Sequence, residues 1–202
     1  MLQPENQQTS QSVPPQAAIM QMATGYWVSQ SLYAAAKLGI ADLLKDGSKS
    51  CDELATATAV KARPLYRLLR GLASVGVFSE TEPGYFTLTP LAACLQSDIS
   101  DSMRAVVTIL GEEEYRAWGD ILYTLRTGGS AFEHVYKMPL YQHHAQKPDQ
   151  GKMFNEAMMV LFPGACERTE VEYRSLFEAC GFHLNKIYPT RAGTSVIEGI
   201  RV

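Results

Sequence analysis

The chain has 202 residues, 46% of them hydrophobic, with 21 acidic against 18 basic side chains and a formal net charge of −3. That balance describes an ordinary globular protein, opposes a basic nucleic-acid footprint, and leaves no run of about 20 apolar residues to span a membrane. Cys51, Cys94, Cys166 and Cys180 stand without a C-x-x-C pair, which signals neither a disulfide framework nor a zinc site; reduced thiols in the cytoplasm are the expectation.

Residues 1–15 are polar, lack the basic-then-apolar pattern of a leader, and read as a disordered arm. From Ala17 to Ile40 one helix is expected, with Ile19, Met22, Ala23, Tyr26 and Trp27 at helical spacing. Apolar residues cover much of its circumference, so it needs burial on more than one side. Either a partner subunit covers it, which makes Ile19, Met22, Tyr26 and Trp27 dimer-interface candidates, or it is the core helix of a monomer.

Ser50-Cys51-Asp52-Glu53 is a capping box that starts a short helix. The next helix runs from Ala62 to Val75, with Leu65, Leu68, Leu69 and Leu72 on one face and Pro64 in its first turn. Strands over 76–80 and 85–88 flank the turn Thr81-Glu82-Pro83-Gly84. Helix, helix and hairpin make a winged helix-turn-helix over residues 41–95. Its second helix carries Lys61, Arg63, Arg67 and Arg70, which would meet phosphates or base edges in a DNA-binding protein and otherwise form a solvated face; Asp52, Glu53, Glu80 and Glu82 offset them. Further helices are expected over 89–95, 101–110, 112–126 and 148–161, with Trp118, Ile121, Leu122 and Leu125 on one face of the third and a loop at Thr127-Gly128-Gly129-Ser130. A second capping box, Thr169-Glu170-Val171-Glu172, opens a helix with Tyr173, Leu176, Phe177 and Cys180 on its apolar face that stops at Gly181. Phe182 to Tyr188 and Thr194 to Ile200 then read as two strands.

Taken in order, Ala35-Ala36-Lys37-Leu38-Gly39-Ile40, the run from Leu65 to Ala73, Trp118 followed by Gly129 and Ala131-Phe132, and Phe154-Asn155-Glu156-Ala157-Met158 resemble the N-terminal part of the S-adenosylmethionine-dependent small-molecule O-methyltransferases, the group of hydroxyindole, plant phenolic and bacterial carotenoid or polyketide methyltransferases. Residues from 168 onward resemble the end of the same family. The resemblance implies a mainly α fold. A helical dimerisation domain over 16–162, containing the winged helix-turn-helix, is followed over 163–202 by a C-terminal helix and β-hairpin remnant of an α/β methyltransferase domain. It also implies an intertwined dimer, as a homodimer or as a heterodimer with a full-length O-methyltransferase, in which the wing serves assembly. Phe154, Met158 and Trp118 become acceptor-pocket candidates, with simple core packing the other reading of Phe154 and Met158.

Between the two matching parts, full-length relatives carry roughly 130 residues of Rossmann-like sheet, the size of one α/β domain. That segment holds the glycine-rich cofactor turn, the acidic ribose ligand and the histidine base. Here Gly111, Gly128, Gly129, Gly164 and Gly193 do not follow an apolar strand and open a helix as G-x-G-x-x-G requires. The expectation is of no S-adenosylmethionine bound by this chain alone, no catalytic residue and no metal site. His143 and His144 are neighbours that point about 100° apart on a helix, His134 reads as a surface or packing residue, and His183 begins a strand. A hairpin without its parent sheet is marginal, so the tail is expected either to pack on its own helix and the dimer surface or to be poorly ordered. Three functions remain in view: a truncated homologue that dimerises but lacks its own cofactor site and base; a winged-helix transcriptional regulator; and an enzyme whose cofactor domain comes from another polypeptide.

Overall fold

The computed structural model describes residues 14–161, 168–189 and 195–202, so most of the expected N-terminal arm, residues 162–167 between the two matching parts with Gly164 and Cys166 among them, and Gly193 lie outside the described residues. Helix α1 (Pro15–Lys37) begins on a proline, which suits a first helical position whose N–H has no partner. It does not run on to Ile40: Gly39 takes φ +67°, a left-handed conformation that stops the helix, and α2 (Ile40–Leu43) starts afresh. Strand β1 (Lys49–Ser50) leads directly into α3 (Cys51–Thr58), and the expected capping box is present: Glu53 N–H donates to Ser50 Oγ and Ser50 N–H to Glu53 Oε2. Helix α4 (Ala62–Ser74) follows, then β2 (Phe78–Glu82), β3 (Tyr85–Leu88) and α5 (Pro90–Ala93), which is capped by the Thr89 hydroxyl.

The hairpin is a three-stranded antiparallel sheet in the order β1-β3-β2, because Lys49 and Ser50 pair with Phe86 and Tyr85. Two residues are too short a run to show a period in the sequence, which is why β1 was not expected. The winged unit closes over a core in which Ile40, Leu44, Leu54, Leu69, Leu72, Phe78 and Phe86 are fully buried. Each stabilises the fold by about 1.5–3 kcal/mol through burial.

The second half departs further from expectation. The break anticipated at Gly111 does not exist. Instead α6 (Arg104–Ile109), a π-turn (Leu110–Glu114) and α7 (Tyr115–Trp118) form one continuous helix, which ends at Gly119-Asp120 where continuity was expected. Helix α8 (Ile121–Thr127) ends on Gly128 at φ +74°, and two short helices, α9 (Ala131–Tyr136) and α10 (Leu140–Ala145), occupy a stretch assigned no structure from the sequence. Helix α11 (Pro148–Leu161) packs on α6 around Ala105, Val106, Ile109 and Ala157. Arg104 ties this half to the winged unit: its Nη1 donates to Asp42 Oδ2 at 2.7 Å and its Nε to the Ala36 carbonyl at 3.0 Å, across the end of α1.

In the tail, α12 (Glu170–Ala179) carries the second capping box and covers one face of the antiparallel pair β4 (Phe182–Pro189) and β5 (Ser195–Arg201). Leu184 is buried there, and Phe177 lies so close over Gly199 that a Cβ would sit 2.8 Å from the ring. The hairpin thus packs on its own helix, while Phe182, Tyr188, Val196 and Ile200 stay exposed. No helix among the described residues is long and apolar enough to cross a membrane.

Candidate functional site

Two features stand out: an apolar surface on α1 and a buried polar cluster beside α11. The first half of α1 is exposed nearly all round, with Ile19 67%, Met22 76% and Trp27 60% accessible and Tyr26 half exposed. Only its second half enters the body, where Ala35 and Ala36 are buried. The reading of α1 as the core helix of a monomer is therefore overturned, since its large apolar side chains face outward.

The polar cluster is produced by the π-turn. A π-turn holds one residue more than the regular helix and so rotates the side chains around it. Here it turns Glu113 into the protein, where the carboxylate is almost wholly buried. His143 Nε2–H donates to its Oε1 at 3.0 Å and His144 Nε2–H to its Oε2 at 2.7 Å. The adjacent imidazoles do diverge along α10, but a carboxylate has two oxygens and accepts from both. Tyr136 Oη donates to the Glu113 carbonyl at 3.3 Å, and burial pushes the Tyr136 phenol up from its ordinary range. Burial first, and then the charge of Glu113, push the neighbouring Glu114 carboxyl up, with His144 acting the other way. His144 Nδ1 is buried and has no hydrogen-bond partner among the described residues. No group of three or more His, Cys, Asp or Glu side chains among the described residues has the geometry to hold a metal ion.

Gly111 allows this arrangement. A Cβ there would meet the Tyr33 side chain at 2.2 Å, and its carbonyl accepts from Gln30 Nε2 at 2.9 Å, so α1 lies directly against the turn.

The acceptor-pocket candidates fall in different places. Phe154 and Met158 are half buried on α11, with the Phe154 ring 4.5 Å from that of His144 and 6.2 Å, edge on, from that of Tyr141. Trp118 is 67% exposed at the end of α7. A cleft of about 590 Å³ opens on another flank of α11, lined by Met153, Glu156 and Val160 with Arg104, Thr108 and Ser102 opposite. Neither Phe154, Met158 nor Trp118 lines it. His134 is a surface residue, stacked on Tyr123 and paired with Asp120. Of the cations on α4, Arg70 lies over the Tyr66 ring and pairs with Glu80 at 3.4 Å. The buried Glu113–His143–His144 cluster had no signature in the sequence, because a π-turn leaves no regular spacing to read.

Residues 20–98 match the O-methyltransferase dimerisation domain. Over 146 residues, 72% of this chain, it is 52% identical to phenazine O-methyltransferase PhzM of Lysobacter antibioticus, covering 43% of that protein. The chain belongs to the O-methyltransferase family. It is also similar to 3-amino-4-hydroxybenzoate 4-O-methyltransferase of Streptomyces cremeus, 35% identical over 167 residues that make up 81% of this chain and 46% of that one. Among solved structures, that of LaPhzM superposes with a TM-score of 0.70 at 29% identity, covering 94% of this chain and all of the other. This O-methyltransferase-family chain spans less than half the length of the curated relatives named here.

A glycine-rich cradle for the adenosyl cofactor needs a strand that ends at a helix N-terminus through glycines. Among the described residues β1 runs into α3 through Ser50 and β3 into α5 through Thr89, neither through glycine, and Gly111 and Gly128 serve close packing and a helix end. The described residues do not fit that cofactor.

Proposed function

We propose that this chain is the dimerising and acceptor-facing part of an O-methyltransferase, working as a homodimer or beside a full-length relative, and that the methyl donor is handled outside it. The observation that carries the reading is the exposed apolar half of α1, much of which lies within the segment matching the dimerisation domain. Several large apolar side chains left in water along one helix mark a protein interface. Phe154 and Met158 supply an acceptor wall for a flat, apolar hydroxyl compound. The names of the relatives, which include phenazine and aminohydroxybenzoate methyltransferases, support that class. The structure of the calicheamicin methyltransferase CalO1 in its SAH-bound form supports S-adenosylmethionine as the donor in the wider family. The unpaired thiols of Cys51, Cys94 and Cys180 support a reducing compartment such as the cytoplasm.

Light scattering on the purified chain, with calorimetric titration of S-adenosylmethionine on the same sample, tests this. A dimer that binds no cofactor is expected. Saturable binding near one site per chain sinks the proposal that the donor is held elsewhere, and a monomer at micromolar concentration sinks the assembly.

A further inference from the structure

We infer that the acceptor wall ends in a polar site of this chain's own making, where His144 Nδ1 receives a hydrogen bond from the hydroxyl of the bound molecule and the Gln150 amide oxygen makes a second such contact. The site thereby selects flat ligands that donate hydrogen bonds over flat ligands that only accept them. The inference rests on the acceptor wall of Phe154 and Met158 proposed above. Gln150, Phe154 and Met158 follow one another four residues apart on α11 and so share one of its faces. Gly151 brings the first turn of that helix against the end of α10, since a Cβ there would meet the His144 carbonyl at 3.1 Å. The His144 side chain is 7% accessible, and its ring lies 4.5 Å from that of Phe154. His144 and Gln150 therefore stand at the same end of the wall.

Both residues carry a buried polar atom with no hydrogen-bond partner among the described residues, His144 Nδ1 and Gln150 Oε1. Leaving such an atom unpaired is costly, and a ligand that donates to it removes the cost. Glu113 decides what the imidazole can take. Its buried Oε2 accepts the His144 Nε2–H at 2.7 Å, which leaves the neutral ring with a lone pair on Nδ1. An amide oxygen also only accepts. The two atoms thus call for an O–H or N–H on the ligand, which a methyl ether or a carboxylate does not offer. Because Nδ1 is closed to solvent, the ligand reaches it by turning the half-buried Phe154 ring aside.

Calorimetric titration of the full chain with 2-naphthol, 2-methoxynaphthalene and 2-naphthoate tests this without any substitution. The hydroxyl compound is expected to bind at least about tenfold more tightly than the other two, as a site built to receive a hydroxyl rejects analogues that lack it. Gln150→Leu and His144→Phe are each expected to reduce that preference. In histidine labelled with nitrogen-15, the His144 Nδ1 resonance should lie at the unprotonated position and move to lower frequency as 2-naphthol binds, a change that a packing role for His144 would not produce. Equal binding of 2-naphthol and 2-methoxynaphthalene, with both lost in Phe154→Ala, overturns the inference and leaves the acceptor wall standing. Tighter binding of the carboxylate, or an Nδ1 resonance unmoved at saturation, overturns it as well. If none of the three compounds binds, the polar site and the acceptor wall both fall, while the dimer reading is judged separately by light scattering.

Discussion

Gly111 and the residues after it show how much one helical turn can decide. With a Cβ placed 2.2 Å from Tyr33, Gly111→Ala has to push α1 away from the π-turn. Overpacking of this kind costs about 1–3 kcal/mol, and a lowered urea midpoint for the variant checks it. Glu114 gives a prediction with a defined pH dependence. Burial and the Glu113 charge raise its carboxyl, so the group favours the folded state when protonated, and that contribution is lost as pH rises through the raised folded value. At neutral pH the charged form is therefore a burden. Glu114→Gln is expected to raise the urea midpoint at pH 7, with the gain fading as pH falls through the raised folded value and gone below the ordinary carboxylate range; a gain that grows in acid contradicts the assignment.

At the scale of elements, caps and amphipathic spacing were legible and irregular helix was not. The boxes at Ser50 and Thr169 were read from residue types alone, since hydroxyl and carboxylate three residues apart satisfy each other's orphan amides. Leu65, Leu69 and Leu72 show the same legibility for α4, all three lying in the core. Gly111 misled the reading because glycine is a weak helix former, yet here it is needed for close approach within a helix. The real break at Gly119-Asp120 was hidden by Trp118, Ile121, Leu122 and Leu125, whose helical spacing spans it. Of the site residues, the exposed α1 positions could be foreseen from an apolar circumference, whereas the pairing of Glu113 with two histidines depends on tertiary placement. The tail offers a local test. Thr169→Ala removes the reciprocal cap of α12 and is expected to speed amide exchange over 170–179 without changing it over 62–74. Equal acceleration in both would mean that the two helices open together.

For the whole molecule, assembly is the property on which the other readings depend. Met22→Lys places a charge on the most exposed of the α1 interface candidates, and it is expected to shift the mass by light scattering from dimer to monomer while thermal unfolding of the winged core stays in place. A π-turn takes up one additional residue in a single wider turn, so the regular helix before and after it keeps nearly the same phase. Removing a single residue between Leu110 and Glu114 would therefore restore regular α geometry and leave Trp118 close to its present orientation, while Glu113 would be drawn away from His143 and His144. What the additional residue secures is the inward carboxylate, and relatives one residue shorter here should lack that buried cluster while keeping the course of the helix.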